Sequence, residues 1–213
     1  MVSQATVLPS KHARKCDRGI QESVRSISSF MNVLASTNLD LSNLLLPIEP
    51  DDHVQGPPEA RHTLVEYGDY ECPACGQLFQ TLGEVRAEIG DELRVAFRHY
   101  PLSGIHPHAQ RAAEAAEAAG AQGRFWEMHD LLFQNMSALQ PRDLDRYAQR
   151  LVLDLKGFRS DLKTRAFEQR VREDFRRGVA NGVYGTPGLF INGKRYNGAL
   201  DRDSLLSQLK QSS

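Results

Sequence analysis

A Cys-x-x-Cys pair that directly follows an apolar segment is the feature that most restricts how this chain can fold. Residues 63–67 have the length and the β-branched and aromatic content of a buried strand, and a Gly-Asp turn ends them. Residues 77–89 carry apolar side chains at spacings of four, three and four, which predicts one face of a helix: Leu78, Leu82, Val85 and Ile89. Cys72 is therefore expected in the turn before that helix or at its first residue.

This position would make Cys72 reactive. The N-terminus of a helix exposes unpaired N–H groups and the positive end of the dipole, so it stabilises a thiolate relative to the thiol. A thiolate is the attacking and leaving species of disulfide exchange. Pro73 suits the start of the helix because it needs no N–H partner. Cys75 lies on the same side of the first turn and can close a small disulfide ring with Cys72, so the pair predicts a redox-active dithiol.

Two other uses of a Cys-x-x-Cys remain open at this point, half of a zinc site and a structural disulfide. Structural zinc needs four ligands, and the only other cysteine, Cys16, lies in an unlike segment. His106 and His108 are too close together in sequence to form the second half of such a site. A structural bridge rarely joins cysteines this near to each other. These observations favour the redox pair, and no metal site is predicted.

The segment Glu-Tyr-Gly-Asp-Tyr-Glu-Cys-Pro-Ala-Cys-Gly, together with Thr186-Pro187, resembles the DsbA-like branch of the thioredoxin fold. The resemblance runs from about Gly56 to the C-terminus. The group it points to occurs both as free-standing thiol:disulfide oxidoreductases and as the domain appended to some NhaA-type sodium/proton antiporters. The resemblance implies an α/β fold class, a thioredoxin fold with a DsbA-like all-helical insertion.

On this basis the chain divides into an N-terminal arm, residues 1–55, and a DsbA-like domain, residues 56–213. The helical insertion is expected at about residues 105–180. Leu93 to His99 alternates apolar and polar residues and predicts a second strand, parallel to the first. Asn192-Gly193 joins two short predicted strands and suits the positive φ values of a type I′ hairpin turn.

The arm combines three unlike segments. A basic cluster at residues 11–18 includes Cys16, which is expected to be an unpaired thiol in a solvated tail. Residues 20–36 predict an amphipathic helix, and a linker rich in turn formers follows at residues 46–58. The apolar face of the helix must be covered by the domain, by a second chain or by a membrane surface, so a homodimer through residues 20–36 is one alternative.

The resemblance also assigns residues around the cysteines. It implies that the Thr186–Pro187 bond is cis and that Pro187 faces Cys72, where the Thr186 backbone could pair with an extended substrate segment. From base rates alone, an ordinary trans proline entering a strand is the simpler interpretation. Pro73 and Ala74, between the two cysteines, are expected to border the bound substrate.

Glu66 is a carboxylate on an otherwise apolar strand. Burying its charge is costly, so its pKa should rise, and Glu66 could then exchange protons with Cys75. A partly exposed glutamate at the strand end is the alternative. Asp69 and Glu71 are expected to be solvated and, as negative neighbours, to oppose the Cys72 thiolate. His99 is interpreted as a strand-end residue rather than a catalytic base, because disulfide exchange needs no dedicated base.

The predicted function is thiol-disulfide exchange with protein substrates. Cys72 forms the mixed disulfide, Cys75 resolves it, and an unidentified partner recycles the pair without any cofactor. The Pro-Ala dipeptide lacks the histidine of the most oxidising relatives, so an intermediate reduction potential is expected. One alternative is a thioredoxin-like binding or redox-sensing regulatory module associated with a membrane transporter; another is an isomerase, which would need a dimer with facing sites.

Composition and hydropathy limit the partners and the compartment. A net charge of -1 makes nucleic acid an unlikely partner for the whole molecule. No segment approaches the roughly 18 apolar residues that a membrane span requires. The N-terminus lacks the apolar core of a secretory signal, so a cytoplasmic location is expected for the chain as written, and a periplasmic one if its start is misassigned.

Overall fold

A computed structural model of the chain describes residues 47–211. Most of the arm, including Cys16 and the amphipathic helix predicted at residues 20–36, lies outside the described residues, so the homodimer through that helix stays a prediction. The described strands form one mixed sheet in the order β1-β3-β2-β4-β5. Their bounds are β1 His53–Gln55, β2 His62–Gly68, β3 Leu93–His99, β4 Gly188–Ile191 and β5 Lys194–Tyr196.

Two parallel strands and the helix between them form the centre of the domain. β2 pairs in parallel with β3, with Leu64 opposite Val95, and this confirms the predicted strand–helix–strand unit. β4 runs antiparallel to both β2 and β5. The turn between β4 and β5 has positive φ values of 49° at Asn192 and 78° at Gly193, as the Asn-Gly pair predicts.

Helices cover the sheet and fill the predicted insertion. The helix after β2 is α1, and five helices between β3 and β4 occupy the span in which the insertion is expected. Within residues 47–211, none of the helices is both long enough and apolar enough to cross a bilayer. The bounds are α1 Pro73–Ile89, α2 Ala109–Gly120, α3 Phe125–Gln134, α4 Pro141–Arg150, α5 Leu155–Thr164, α6 Glu168–Ala180 and α7 Arg202–Gln211.

The linker prediction at residues 46–58 is wrong in one respect, because His53–Gln55 forms the edge strand β1. This strand pairs antiparallel with β3, and Val54 lies opposite Ala96. The Val54 carbonyl also accepts a hydrogen bond of 3.2 Å from the Trp126 side chain. A strand of three residues among turn formers is too short to show an alternating pattern. β1 forms because the edge of β3 and Trp126 of α3 provide hydrogen-bond partners for its backbone.

The hydrophobic core has a part on each face of the sheet and a third part in the insertion. Leu64 and Val95 pack with Leu78 of α1 and Leu205 of α7 on one face. Val65, Tyr67 and Phe190 pack with Phe175 of α6 on the other. The insertion helices bury a group of aromatic and aliphatic residues of α3: Phe125, Met128, Leu131, Leu132 and Phe133. Cys72 and Cys75 belong to this third part, so the insertion covers the cysteine pair.

Candidate active site

Cys72 occupies the N-cap of α1, the position at which the chain passes from extended to helical backbone. Its φ and ψ are -83° and 119°, and Pro73 follows as the first helical residue. The Cys72 carbonyl accepts hydrogen bonds from the N–H groups of Cys75 and Gly76, at 3.0 and 3.1 Å. The side chain is therefore held against the open end of the helix, where N–H groups lack partners within the helix.

The surroundings of Cys72 stabilise its thiolate. The Cys75 thiol, the Thr186 hydroxyl and the N–H groups of Cys75 and Ala74 outweigh desolvation and lower the pKa of Cys72 to about 5. In the neutral form, the Cys72 thiol donates to the Thr186 carbonyl oxygen over 3.4 Å. The buried Thr186 hydroxyl has no other hydrogen-bond partner among the described residues, so it is available to the thiolate.

Cys75 has the opposite electrostatic environment. Its side chain is fully buried, and both cysteines are free thiols in this structure. Burial, the hydrogen bond to Cys72 and the charges of Glu66 and Cys72 together raise the pKa of Cys75 far above its usual range. The two thiols of the pair therefore differ, since one ionises at neutral pH and the other stays protonated.

Glu66 lies on β2 beneath the pair and is buried, so the partly exposed alternative is wrong. Burial, with a smaller contribution from the Cys72 charge, raises the pKa of Glu66 to about 8. Its Oε1 atom has no hydrogen-bond partner among the described residues. The carboxyl borders a cavity of about 400 Å³ whose lining also includes Gln80, Arg86 and Asp130. Glu66 can therefore carry a proton at neutral pH.

The residues expected to contact substrate lie around Cys72. The Thr186–Pro187 peptide bond is cis, and Thr186 contacts the Cys72 sulfur through its carbonyl oxygen. Thr186 and Pro187 are partly exposed, as is Ala74, and Pro73 is exposed, whereas Cys72 itself is nearly buried.

The expectation that Asp69 is solvated is wrong, because its side chain is only 1% exposed. One carboxylate oxygen accepts the Glu71 N–H at 2.8 Å, and the other accepts the Leu102 N–H and faces His106 Nδ1, both at 2.8 Å. The Asp69 carbonyl oxygen accepts the Cys72 N–H at 3.1 Å. Asp69 thus fastens the active-site turn to the loop after β3, a contact that local sequence does not reveal.

Glu71 is likewise bonded rather than simply solvated. Its carboxylate accepts the N–H groups of His108 and Ala109, at 2.7 and 3.1 Å, at the start of α2. His108 Nδ1 lies 2.7 Å from the other oxygen. Burial opposes the ionisation of Glu71, but the hydrogen bonds from His108 and Ala109 lower its pKa overall. A carboxylate at a helix N-terminus is favourable, and this one joins the cysteine turn to the insertion.

His99 ends β3, as predicted, but it belongs to a buried cluster that the sequence does not reveal. His99 Nε2 and His53 Nε2 each lie 3.0 Å from Glu117 Oε1. His99 is fully buried and Glu117 is only 5% exposed. The three residues come from β1, β3 and α2, so no spacing pattern in the sequence could have revealed that they lie together.

Comparisons with known proteins agree on the fold. A family profile described as thioredoxin matches residues 49–211. The solved structure of BdbD from Bacillus subtilis superposes with a TM-score of 0.68 at 21% identity, over 75% of this chain and 91% of that one. Wolbachia pipientis α-DsbA1 gives a TM-score of 0.68 at 18% identity, over 80% and 94% of the two chains. These likenesses confirm the predicted α/β class and the DsbA-like thioredoxin fold.

The curated relatives are larger proteins. The Na(+)/H(+) antiporter NhaA 1 of Salinispora arenicola is 49% identical over 164 residues, which are 76% of this chain and 25% of the antiporter. The Na(+)/H(+) antiporter NhaA 1 of Mycolicibacterium gilvum is 45% identical over 170 residues, 78% of this chain and 28% of that protein. The chain thus spans about a quarter of the length of the curated relatives that it matches.

Proposed function

Since this chain belongs to the thioredoxin family, and within it to the DsbA-like branch, we propose that it is a thiol:disulfide oxidoreductase that acts on proteins. The reaction uses the Cys-Pro-Ala-Cys pair, Cys72 and Cys75. The observation that carries this proposal is the opposite perturbation of the two thiols, with the pKa of Cys72 lowered to about 5 and that of Cys75 strongly raised. A thiolate beside a protonated second thiol is what a two-step exchange needs.

In the reducing direction, the Cys72 thiolate attacks one sulfur of a substrate disulfide. The substrate S–S bond breaks, a mixed disulfide forms, and the other substrate sulfur leaves as a thiolate. Cys75 then loses its proton and attacks the Cys72 sulfur. The substrate leaves as a dithiol and the Cys72–Cys75 disulfide remains. The oxidising direction is the same sequence in reverse.

Glu66 is proposed to take the Cys75 proton. Part of the upward shift in the Glu66 pKa comes from the Cys72 charge, and formation of the mixed disulfide removes that charge. The pKa of Glu66 should then fall, so its carboxylate becomes available at the step in which Cys75 must ionise. The cavity beside Glu66 supports this role, because it gives the proton a route away from the residues that are proposed to hold the substrate.

Thr186, Pro187, Pro73 and Ala74 are proposed to hold the substrate. The Thr186 carbonyl oxygen already contacts the Cys72 sulfur, so an extended segment lying along Thr186 would bring its own sulfur to that thiol. Pro73 and Ala74, the two residues between the cysteines, are exposed and partly exposed, so they are open to the same segment. Main-chain pairing of this kind accepts many sequences, which suits an enzyme with several protein substrates.

Insulin disulfide reduction tests the proposal. The full chain should accelerate reduction by dithiothreitol, and Cys72→Ser should abolish the acceleration. Cys75→Ser should instead accumulate a mixed disulfide with the substrate, because its resolving thiol is missing. Cys16→Ser is the matched control and should keep full activity. A rate equal to the buffer blank for the unmodified chain would refute the proposal.

Whether the protein mainly oxidises or mainly reduces its substrates depends on the reduction potential of the Cys72–Cys75 pair. This potential can be measured against glutathione in the Cys16→Ser protein. A pKa of about 5 for Cys72 lies between about 3.5 for DsbA and about 7 for thioredoxin, so we propose an intermediate potential. A potential at or above the glutathione poise would indicate an oxidase or isomerase in an oxidising compartment. A potential well below it would indicate a reductase and agree with the cytoplasmic expectation.

A second candidate function is that of a regulatory module of a sodium/proton antiporter. The observation in its favour is the match to the NhaA proteins, in which a quarter of each sequence corresponds to this chain. Such a module would bind the transporter and use its cysteines as a sensor. Absence of insulin reduction, combined with binding to an NhaA-type antiporter that depends on the oxidation state of the pair, would favour this candidate.

A further inference from the structure

We propose that His53, His99 and Glu117 form a zinc site that fastens the edge strand β1 to β3 and to the helical insertion. The three donors come from β1, β3 and α2, and their nearest ligand atoms all lie within 4.8 Å of one another. This proposal is independent of the thiol chemistry, since none of its three residues has a part in the exchange reaction.

The spacing of the donor atoms fits a tetrahedral ion. Both imidazole Nε2 atoms lie 3.0 Å from the same oxygen, Glu117 Oε1. Bond lengths of about 2.0–2.2 Å around tetrahedral zinc place two ligand atoms about 3.3–3.5 Å apart. The two histidine–carboxylate distances therefore need to grow by only a few tenths of an ångström to admit the ion, and all the donor atoms already lie within 4.8 Å of one another.

The charge of the cluster also favours a divalent cation. Arg170 Nε lies 3.9 Å from Glu117 Oε1, and Arg170 has its own nearer carboxylate partner in Asp174. With neutral imidazoles the three ligands carry a net charge of about minus one, which a zinc ion would offset.

Access and coordination number favour zinc over other metals. Two imidazoles and a carboxylate leave one tetrahedral position for water, and His53, with 21% of its side chain exposed, gives the ion a way in. The same donor types serve iron(II) when three positions stay open to exogenous ligands. His99 is fully buried and Phe125 stacks on the His53 ring, so little space remains for three further ligands.

Zinc binding to the full chain with Cys16, Cys72 and Cys75 all replaced by serine tests this proposal, because that protein has no thiol to bind the metal. After equilibrium dialysis against zinc, we expect one retained equivalent by elemental analysis. His53→Gln should weaken binding at least about tenfold. His62→Gln, which removes a buried histidine of β2 outside the cluster, is the matched control and should bind as its parent does.

Thermal unfolding gives a second, independent measurement. Zinc should raise the unfolding midpoint of the parent and of His62→Gln, because the ion binds only the folded arrangement of three elements. It should raise the midpoint of His53→Gln by much less, because the site is weakened. This variant alters a partly exposed residue of a three-residue strand, so it is expected to fold. If the parent retains no more zinc than His53→Gln, the three side chains form only a hydrogen-bonded cluster and the proposal is overturned.

Discussion

Replacement of Glu66 by glutamine should stabilise the reduced protein by an amount that depends on pH. The side chain is fully buried, and its pKa is raised from 4.5 to about 8. Between these two values the folded protein holds a proton that the unfolded chain has released. Stability therefore falls as the pH rises through this window, by about 1.4 kcal/mol for each pH unit.

The size of this change in stability follows from the interval between the ordinary pKa of Glu66 and its raised pKa in the folded protein. From pH 4.5 to pH 7, the wild-type chain should lose about 3 kcal/mol relative to Glu66→Gln, and the loss should level off above about pH 8. A glutamine has nearly the same size, and its own hydrogen bonds do not titrate. Any difference in packing between the two proteins therefore adds a constant, and the pH dependence isolates the carboxyl.

Urea unfolding under reducing conditions at a series of pH values measures this difference. The exposed Glu59 is the matched control, and Glu59→Gln should stay within about 0.5 kcal/mol of wild type throughout. The oxidised proteins should show a smaller but still positive difference, because the disulfide removes the Cys72 charge and leaves the desolvation of Glu66. A difference between wild type and Glu66→Gln that stays constant from pH 4.5 to pH 7 would refute the reasoning.

Three further predictions concern the cysteine turn. Alkylation of Cys72 by iodoacetamide should follow a titration centred near pH 5, and a midpoint near its ordinary value of 9 would contradict the lowered pKa. Thr186→Val keeps the side-chain shape but removes the hydroxyl, so the alkylation midpoint should move to higher pH, whereas Thr186→Ser should leave it nearly unchanged. Asp69→Ala should lower the free energy of unfolding by at least about 2 kcal/mol, because it leaves the N–H groups of Glu71 and Leu102 without their acceptor at a buried position. The exposed Asp91→Ala should cost less than about 0.5 kcal/mol in urea unfolding.

The elements around the cysteines were predictable because their signals are local. Residues 93–99 alternate in polarity and form β3 with the predicted bounds. The apolar periodicity after Cys72 gives α1, and the Asn-Gly pair gives the turn between β4 and β5. In each case the residues that determine the structure lie within one element, so a pattern over a few residues contains the necessary information.

The features that sequence could not supply depend on contacts between distant segments. β1 has no pattern of its own and is defined by the edge of β3 and by Trp126. The bonds of Asp69 to Leu102 and His106 join residues more than thirty positions apart. A charged residue beside a turn is most often solvated, and the expectation for Asp69 followed this tendency. It failed because the loop after β3 covers the Asp69 carboxylate.

The partners of Asp69 and Glu71 also show why these two carboxylates do not simply oppose the Cys72 thiolate. Both carboxylates were expected to oppose the thiolate, yet each faces an imidazole, His106 in one case and His108 in the other. Desolvation acts against protonation of His106, but the hydrogen bond to Asp69 and the charge of Cys72 raise its pKa overall. Because a charge interaction is mutual, a protonated His106 favours the Cys72 thiolate in return. The loop after β3 thus places His106, held by Asp69, where its charge and that of the Cys72 thiolate stabilise each other.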